Sequence, residues 1–225
     1  MERFYDPSQD ESGDNAGTSP KSRPIAPSKR KIDKEGHRLA LLEATASAII
    51  KYGIAGTTIS RIQEISGVSR GMINLHFQSK DKLIVALAQH IDAEYQANRR
   101  RVSLSSSQTP RERLYAAVRA EFSDEILNKK LGAVWMALRS ECNARPDLRP
   151  YIETRDKAFY RELRQCFHQI SKTTGKPHDG RRATLALMAL IEGMLTDFHL
   201  HADFFDREEA LSVCLFAVEQ FLGDA

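Results

Sequence analysis

A chain of 225 residues can hold one large helical domain or two smaller ones, with material for a core. Its three cysteines, Cys142, Cys166 and Cys214, are isolated and lack C-x-x-C spacing, which argues for buried free thiols in a reducing cytoplasm rather than a disulfide framework. The net charge of +3 conceals a division: residues 1–20 carry one Arg and five acids, residues 21–101 carry 15 Lys/Arg against seven acids, and residues 102–225 carry 17 against 18.

In chain order, residues 1–30 form a leader that is rich in Ser, Pro and Gly and lacks hydrophobic periodicity, so it is expected to be disordered. It opens with acids and has no apolar h-region, which argues against a signal peptide. Its basic end, Lys21 to Lys31, suits an arm that follows a DNA backbone or minor groove, and equally suits a solvated tail. A first helix is expected from about Lys34 to Tyr52, with Leu39, Leu42, Ala46, Ile49 and Ile50 inward and Gly53 ending it.

Residues 58–77, TISRIQEISGVSRGMINLHF, read as two short helices joined by a tight turn. Thr57 or Thr58 caps the first, whose apolar stripe is Ile59, Ile62 and Ile65. Gly67 interrupts, and Ser69 caps a second helix with Ile73 and Phe77 inward. The outward face offers Arg70, Met72, Asn74, Leu75 and His76. A helix that buries one side and presents the other can enter the major groove of DNA, so this segment reads as a helix-turn-helix. The basic excess of residues 21–101 surrounds it, where a phosphate-binding surface needs it.

Gln78-Ser79-Lys80-Asp81 starts a long helix with Leu83, Ile84, Leu87, Ile91 and Tyr95 on its apolar face, ending near Arg99–Arg101. Thr109-Pro110-Arg111-Glu112 is a capping box with Pro at the first helical position. Further helices are expected at about 129–143, 150–173, 181–201 and 206–222, the last opened by a second box of Asp206 and Glu209. No alternating strand pattern stands out, so the fold class is all-α with about nine helices. The apolar run Ala183–Ile191 is too short to span a membrane, and no membrane partner is expected. The helix that contains it, and the final one, are apolar nearly all round and need covering on both sides. A second copy of the chain does this most simply, through a two-fold four-helix bundle.

The pattern T-x-x-x-I-x-x-x-x-G-V-S-x-G-x-[I/L]-x-x-[H/Y]-F-x-x-K-x-x-L is met by Thr58, Ile62, Gly67, Val68, Ser69, Gly71, Ile73, His76, Phe77, Lys80 and Leu83. On these residues the chain resembles the TetR family of one-component regulators. The stretches RLYAAVRAEF (113–122), KKLGAVWMALRSECNARPDL (129–148) and ALMALIEGMLTDFHLHADFFD (186–206) resemble its BetI-type subgroup, which controls choline and glycine-betaine genes. Asn74 and Ser66 depart from the Tyr and Ala that many relatives carry. The resemblance implies a DNA-binding domain over residues 31–80, an effector-binding and dimerisation domain over 81–225, and a homodimeric repressor that acts on a palindromic operator.

Together with their chemistry, the resemblance assigns Thr58, His76 and Lys80 to phosphates, Lys80 at a helix start where backbone N–H groups favour an anion. Arg70 suits guanine and Asn74 suits adenine, while Leu75 and Met72 suit thymine methyls. Gly71 lets the backbone approach closely, after the Ser69 cap. For the effector, Trp135, Arg139, Phe159, Tyr160, Glu192 and Asp197 are the candidates, because aromatic faces with a carboxylate suit a quaternary ammonium compound. The alternative for these aromatics is plain core.

His199 and His201 with Asp197 and Asp203 invite a metal reading. On a helix, however, the pairs Asp197/His201 and His199/Asp203 lie on different faces, and each offers two ligands at most. No metal or cofactor is expected. No G-x-S-x-G, phosphate loop, dinucleotide fingerprint or H-E-x-x-H occurs, so an enzyme is disfavoured. The remaining alternative is an architectural DNA binder or adaptor without a ligand.

Overall fold

The computed structural model describes residues 29–103, 109–152, 158–175 and 179–223. The leader through residue 28 lies outside them. Among the described residues there are helices and turns but no strands. They form ten α-helices, one more than expected, and a 3-10 turn.

Helix α1 spans Lys29–Gly56, starting before Lys34, and its regular part ends where expected, at Gly53 with φ 68°. Thr57 then donates its hydroxyl to Gly53 O at 2.8 Å. The buried face of α1 holds Leu41, Leu42, Thr45, Ala46, Ala48 and Ile49. Leu39 and Ile50, expected inward, are 43% and 46% exposed. At 3.6 residues per turn both fall on the same edge of the helix, rotated away from the stripe centred between Leu42 and Thr45.

Helices α2 (Ile59–Ser66) and α3 (Arg70–Phe77) are set by local capping. Thr58 accepts from Arg61 N–H, Gly67 closes α2 in the left-handed region at φ 68°, and Ser69 accepts from Met72 N–H. Ser66 Oγ accepts from Val68 N–H at 3.1 Å, which gives this departure from the common Ala a part in the turn. Ile62, Val68, Ile73 and Phe77 are buried, whereas Ile65, expected on the stripe, is 42% exposed. Helix α2 is only eight residues long, and Ile62 alone on it is fully buried.

Helix α4 (Lys80–Ser103) runs past Arg101 and carries Leu83, Ile84, Leu87 and Ile91 into the core. Helix α5 (Pro110–Glu121) opens with the expected reciprocal capping box of Thr109 and Glu112. Helix α6 spans Lys129–Glu141, and a 3-10 turn at Pro146–Leu148 leads into α7 (Arg149–Ile152). The helix expected over 150–173 is therefore two, α7 and α8 (Ala158–Thr174), with residues 153–157 between them outside the described set. Helices α9 (Gly180–Leu200) and α10 (Arg207–Leu222) are the last of the described elements, Asp206 capping α10 by accepting from the Glu208 and Glu209 N–H groups.

Two hydrophobic clusters form the core. The first joins α1 to α4 with Val134 and Leu138 of α6 and Ile152 of α7. The second joins α5, α8, α9 and α10 around Phe167, Leu163 and Leu187. Cys166 and Cys214 are buried in it, their thiols pushed up to about 11 by burial, while Cys142 is only half-buried. Among the described residues two helices, Lys34–Gly56 and Gly180–Leu200, are long and apolar enough to cross a membrane by length and composition alone, a test that core helices also pass. Both supply core residues, Leu41 and Leu42 from one and Leu187 and Ile191 from the other.

Candidate functional site

The outward face of α3 presents Arg70, Gly71, Asn74 and Leu75, the last 67% exposed, opposite the buried Ile73 and Phe77. Ser69 and Thr58 stand exposed at the two helix starts, each holding a backbone N–H. Met72 is different: it is half-buried and packs on the first cluster.

His76 is half-buried, its ring 6.5 Å from that of His37 on α1, and its Nε2 is buried without a hydrogen-bond partner among the described residues. Burial, and then the charges of Lys34, His37 and Arg38, hold its imidazole below the usual range. Lys80 follows a tight turn. Ser79 N–H donates to Phe77 O at 2.7 Å around Gln78, which has φ 65° and ψ −39°, a strained γ-turn geometry. Lys82, not singled out from the sequence, reaches back to the turn and donates to Gln78 Oε1 at 2.6 Å. Arg61 stacks its guanidinium on the Tyr52 ring at 4.1 Å, fastening α2 to the end of α1.

A cavity of about 130 Å³ lies in the seam between the two clusters. The first cluster contributes Ile91, Leu131, Trp135 and Tyr151, and the second contributes Phe159, Met188, Ile191 and Leu195. Of the effector candidates, Trp135, Phe159 and Glu192 line it. Arg139 stands beside them, 3.0 Å from Glu192 and 4.7 Å from the Trp135 ring centroid. Tyr160 is buried outside the lining, and Asp197 pairs with His201 at 2.8 Å on an exposed face.

The sequence reading missed the acidic floor. Glu121 lies 2.8 Å from the Arg99 Nε and accepts the Tyr95 hydroxyl at 2.9 Å. Arg99 also pairs with Glu162 at 2.9 Å and stacks on Phe159 at 3.8 Å. Burial outweighs Arg99 and raises the Glu121 carboxyl to about 7, and it raises Tyr95 well above the usual phenol range. A signal was present: Glu121 falls four residues after Ala117 and three after Val118, on the buried face of α5.

His199 turns inward to the same cavity. A Cβ built on Gly132 would fall 1.4 Å from its Cε1, so the imidazole occupies the space that a side chain on α6 would need. Burial lowers its pKa, which favours the neutral ring. His199 and His201 thus point to different surroundings, and among the described residues no three His, Cys, Asp or Glu side chains converge as a metal site.

The family model described as bacterial regulatory proteins, tetR family, matches residues 41–87, and the one described as BetI-type transcriptional repressor, C-terminal, matches residues 110–223. The HTH-type transcriptional regulator BetI of Pseudomonas aeruginosa is 32% identical over 187 residues, covering 83% of this chain and 93% of that protein. A TetR-family regulator from Rhodococcus sp. superposes with a TM-score of 0.69 at 26% identity, covering 83% of this chain and 99% of that one. A regulator from Saccharomonospora viridis, solved in complex with choline, has the same fold with a TM-score of 0.70 at 18% identity, covering 82% of this chain and 96% of that one. A capped helix-turn-helix at residues 58–77, an all-helical body and these matches lead to one conclusion: the chain belongs to the TetR family of DNA-binding transcriptional regulators, with a BetI-type C-terminal region.

Proposed function

We propose that the chain is a cytoplasmic, homodimeric repressor that leaves its operator when a small cation enters the seam cavity, and that it controls choline or betaine metabolism. The observation that carries this reading is the cavity itself. Trp135, Tyr95, Tyr151 and Phe159 give it aromatic walls, and Glu121, Glu192 and Asp92 give it carboxylates. Aromatic faces beside acids attract an ammonium group. Its position between the clusters supports coupling, because a ligand there contacts α4 and α6 on one side and α8 and α9 on the other. The fold shared with a regulator that binds choline supports the same ligand class.

In this reading residues 31–80 bind DNA and residues 81–225 bind effector and partner. Arg70 and Asn74 read bases, with Leu75 beside them and Met72 at the edge of the surface. Thr58, Ser69, His76 and Lys80 meet the backbone, and Gly71 allows close approach. The dimer forms on α9 and α10, which leave Leu200, Val213 and Phe216 at 67%, 38% and 61% exposed in a single chain. A two-fold pair then presents two heads to a palindrome.

A thermal-shift series with choline, betaine aldehyde, glycine betaine and sodium as a control tests the ligand class. Stabilisation by the quaternary compounds alone supports the reading, and equal shifts with sodium contradict it. Sedimentation equilibrium tests the pair, since a chain that stays monomeric has no way to present two heads.

A further inference from the structure

Arg139 stands outside the cavity lining but against two of the groups that line it. Its guanidinium carbon is 4.7 Å from the Trp135 ring centroid, and its Nη2 is 3.0 Å from Glu192 Oε2. Trp135 and Arg139 are one turn apart on α6, so helix geometry itself lays the guanidinium against the indole. Glu192 comes from α9, across the seam, and both Trp135 and Glu192 line the cavity. An indole face and a carboxylate are the two groups that an ammonium ligand seeks, and one side chain of the protein already engages both.

The other acids of the cavity are engaged as well, but differently. Glu121 and Arg99 are locked together with side chains only 1% and 4% exposed. Glu125 pairs outward with Arg101 at 2.8 Å, and Asp92 accepts from Gln96 at 3.5 Å. Arg139 and Glu192 are 43% and 27% exposed, a pair at the rim that water screens and that yields readily. Theirs is therefore the contact that a ligand can exchange for its own.

We propose that Arg139 is a built-in surrogate for the ligand's cation. It holds the Trp135 face and the Glu192 carboxylate, and an ammonium ligand binds by displacing it. The exchange conserves charge, one cation leaving the carboxylate as another arrives, so Arg139 lowers the affinity of every ammonium ligand by one common factor. It also breaks one contact between α6 and α9, the one carrying residues of the first cluster and the other residues of the second, while Gly132 and His199 stay packed. This inference rests on the proposed cation-binding reading of the cavity.

Trp135 is the sole tryptophan, so its fluorescence reports the site directly. Full-length wild type, R139M, R139Q, E192Q and R139M/E192Q are titrated with choline and with 3,3-dimethylbutan-1-ol, its uncharged isostere, with calorimetry as a second readout. R139M and R139Q are expected to bind choline roughly tenfold tighter than wild type, the size of one exposed cation–π contact plus one rim ion pair. E192Q binds choline more weakly than wild type, and the gain from R139M shrinks in the E192Q background. Wild-type binding of choline with no gain in R139M or R139Q overturns the surrogate while leaving the cavity a cation site. An equal gain for the uncharged isostere also overturns it, because space rather than charge would then be limiting. No choline binding by any variant overturns the inference together with the reading beneath it.

Discussion

Glu121 and Arg99 lie 2.8 Å apart with side chains 1% and 4% exposed, a buried ion pair whose carboxylate lines the cavity and accepts the hydroxyl of Tyr95, another lining residue. Two charges removed from water this completely depend on each other. Arg99→Met is expected to destabilise the protein by about 3–5 kcal/mol, because it leaves Glu121 buried without its cation. Glu121→Gln keeps the Tyr95 contact and is expected to cost less. Urea midpoints of the two variants check the order.

The same carboxyl gives a pH dependence of definite sign. Its pKa in the folded protein is about 7, above the ordinary 4.5, so the folded state holds a proton that the unfolded state releases in that interval. The stabilisation this provides is complete below pH 4.5 and is lost as pH rises through about 7. Stability of the wild type relative to Glu121→Gln is therefore expected to fall across that window and level off above it, as measured by denaturant midpoints at a series of pH values.

A side chain at Gly132 would require the His199 ring to move, since the ring fills the space beside this glycine. Gly132→Ala is expected to cost about 1–3 kcal/mol, the usual penalty of overpacking. Adding His199→Ala should recover most of that loss. A double variant as unstable as Gly132→Ala alone would show that the imidazole is not the cause.

At Gln78 the left-handed φ of 65° joins α3 to α4. A β-branched residue tolerates that region poorly, so Gln78→Val is expected to cost about 1–3 kcal/mol, and Gln78→Gly to be tolerated. Melting temperatures of the two variants separate backbone strain from loss of the side chain's bond to Lys82.

On DNA, Arg70→Ala is expected to lose about 1–3 kcal/mol of discrimination between operator and random duplex, and Lys80→Ala to weaken both alike and flatten the salt slope by about one unit. Equal losses on both duplexes for Arg70→Ala would remove it from base reading.

The helix-turn-helix was legible in the sequence because its determinants are local. Thr58, Gly67 and Ser69 each act within four residues of their position, and the structure shows all three caps. The cavity was half legible. Trp135, Phe159 and Glu192 announced themselves by residue type, but Tyr160 and Asp197 did too, and only packing separates the three that converge from the two that do not. Arg99 and Glu121 escaped because charged residues on a helix are expected in water. The spacing of Glu121 from Ala117 and Val118 marks it on the buried face of α5, but its pairing with Arg99 depends on α4, α5 and α8 meeting around Phe159. Leu39, Ile50 and Ile65 erred in the opposite direction, since hydrophobicity does not tell the centre of a stripe from its edge.

One measurement bears most directly on the account: selection of fragmented genomic DNA by the full-length protein, with choline then added to the bound fraction. The account predicts enrichment of a few fragments that share an inverted repeat, and their release by choline but not by sodium. Retention of DNA without sequence preference, or of operator fragments that no quaternary ammonium releases, would contradict it.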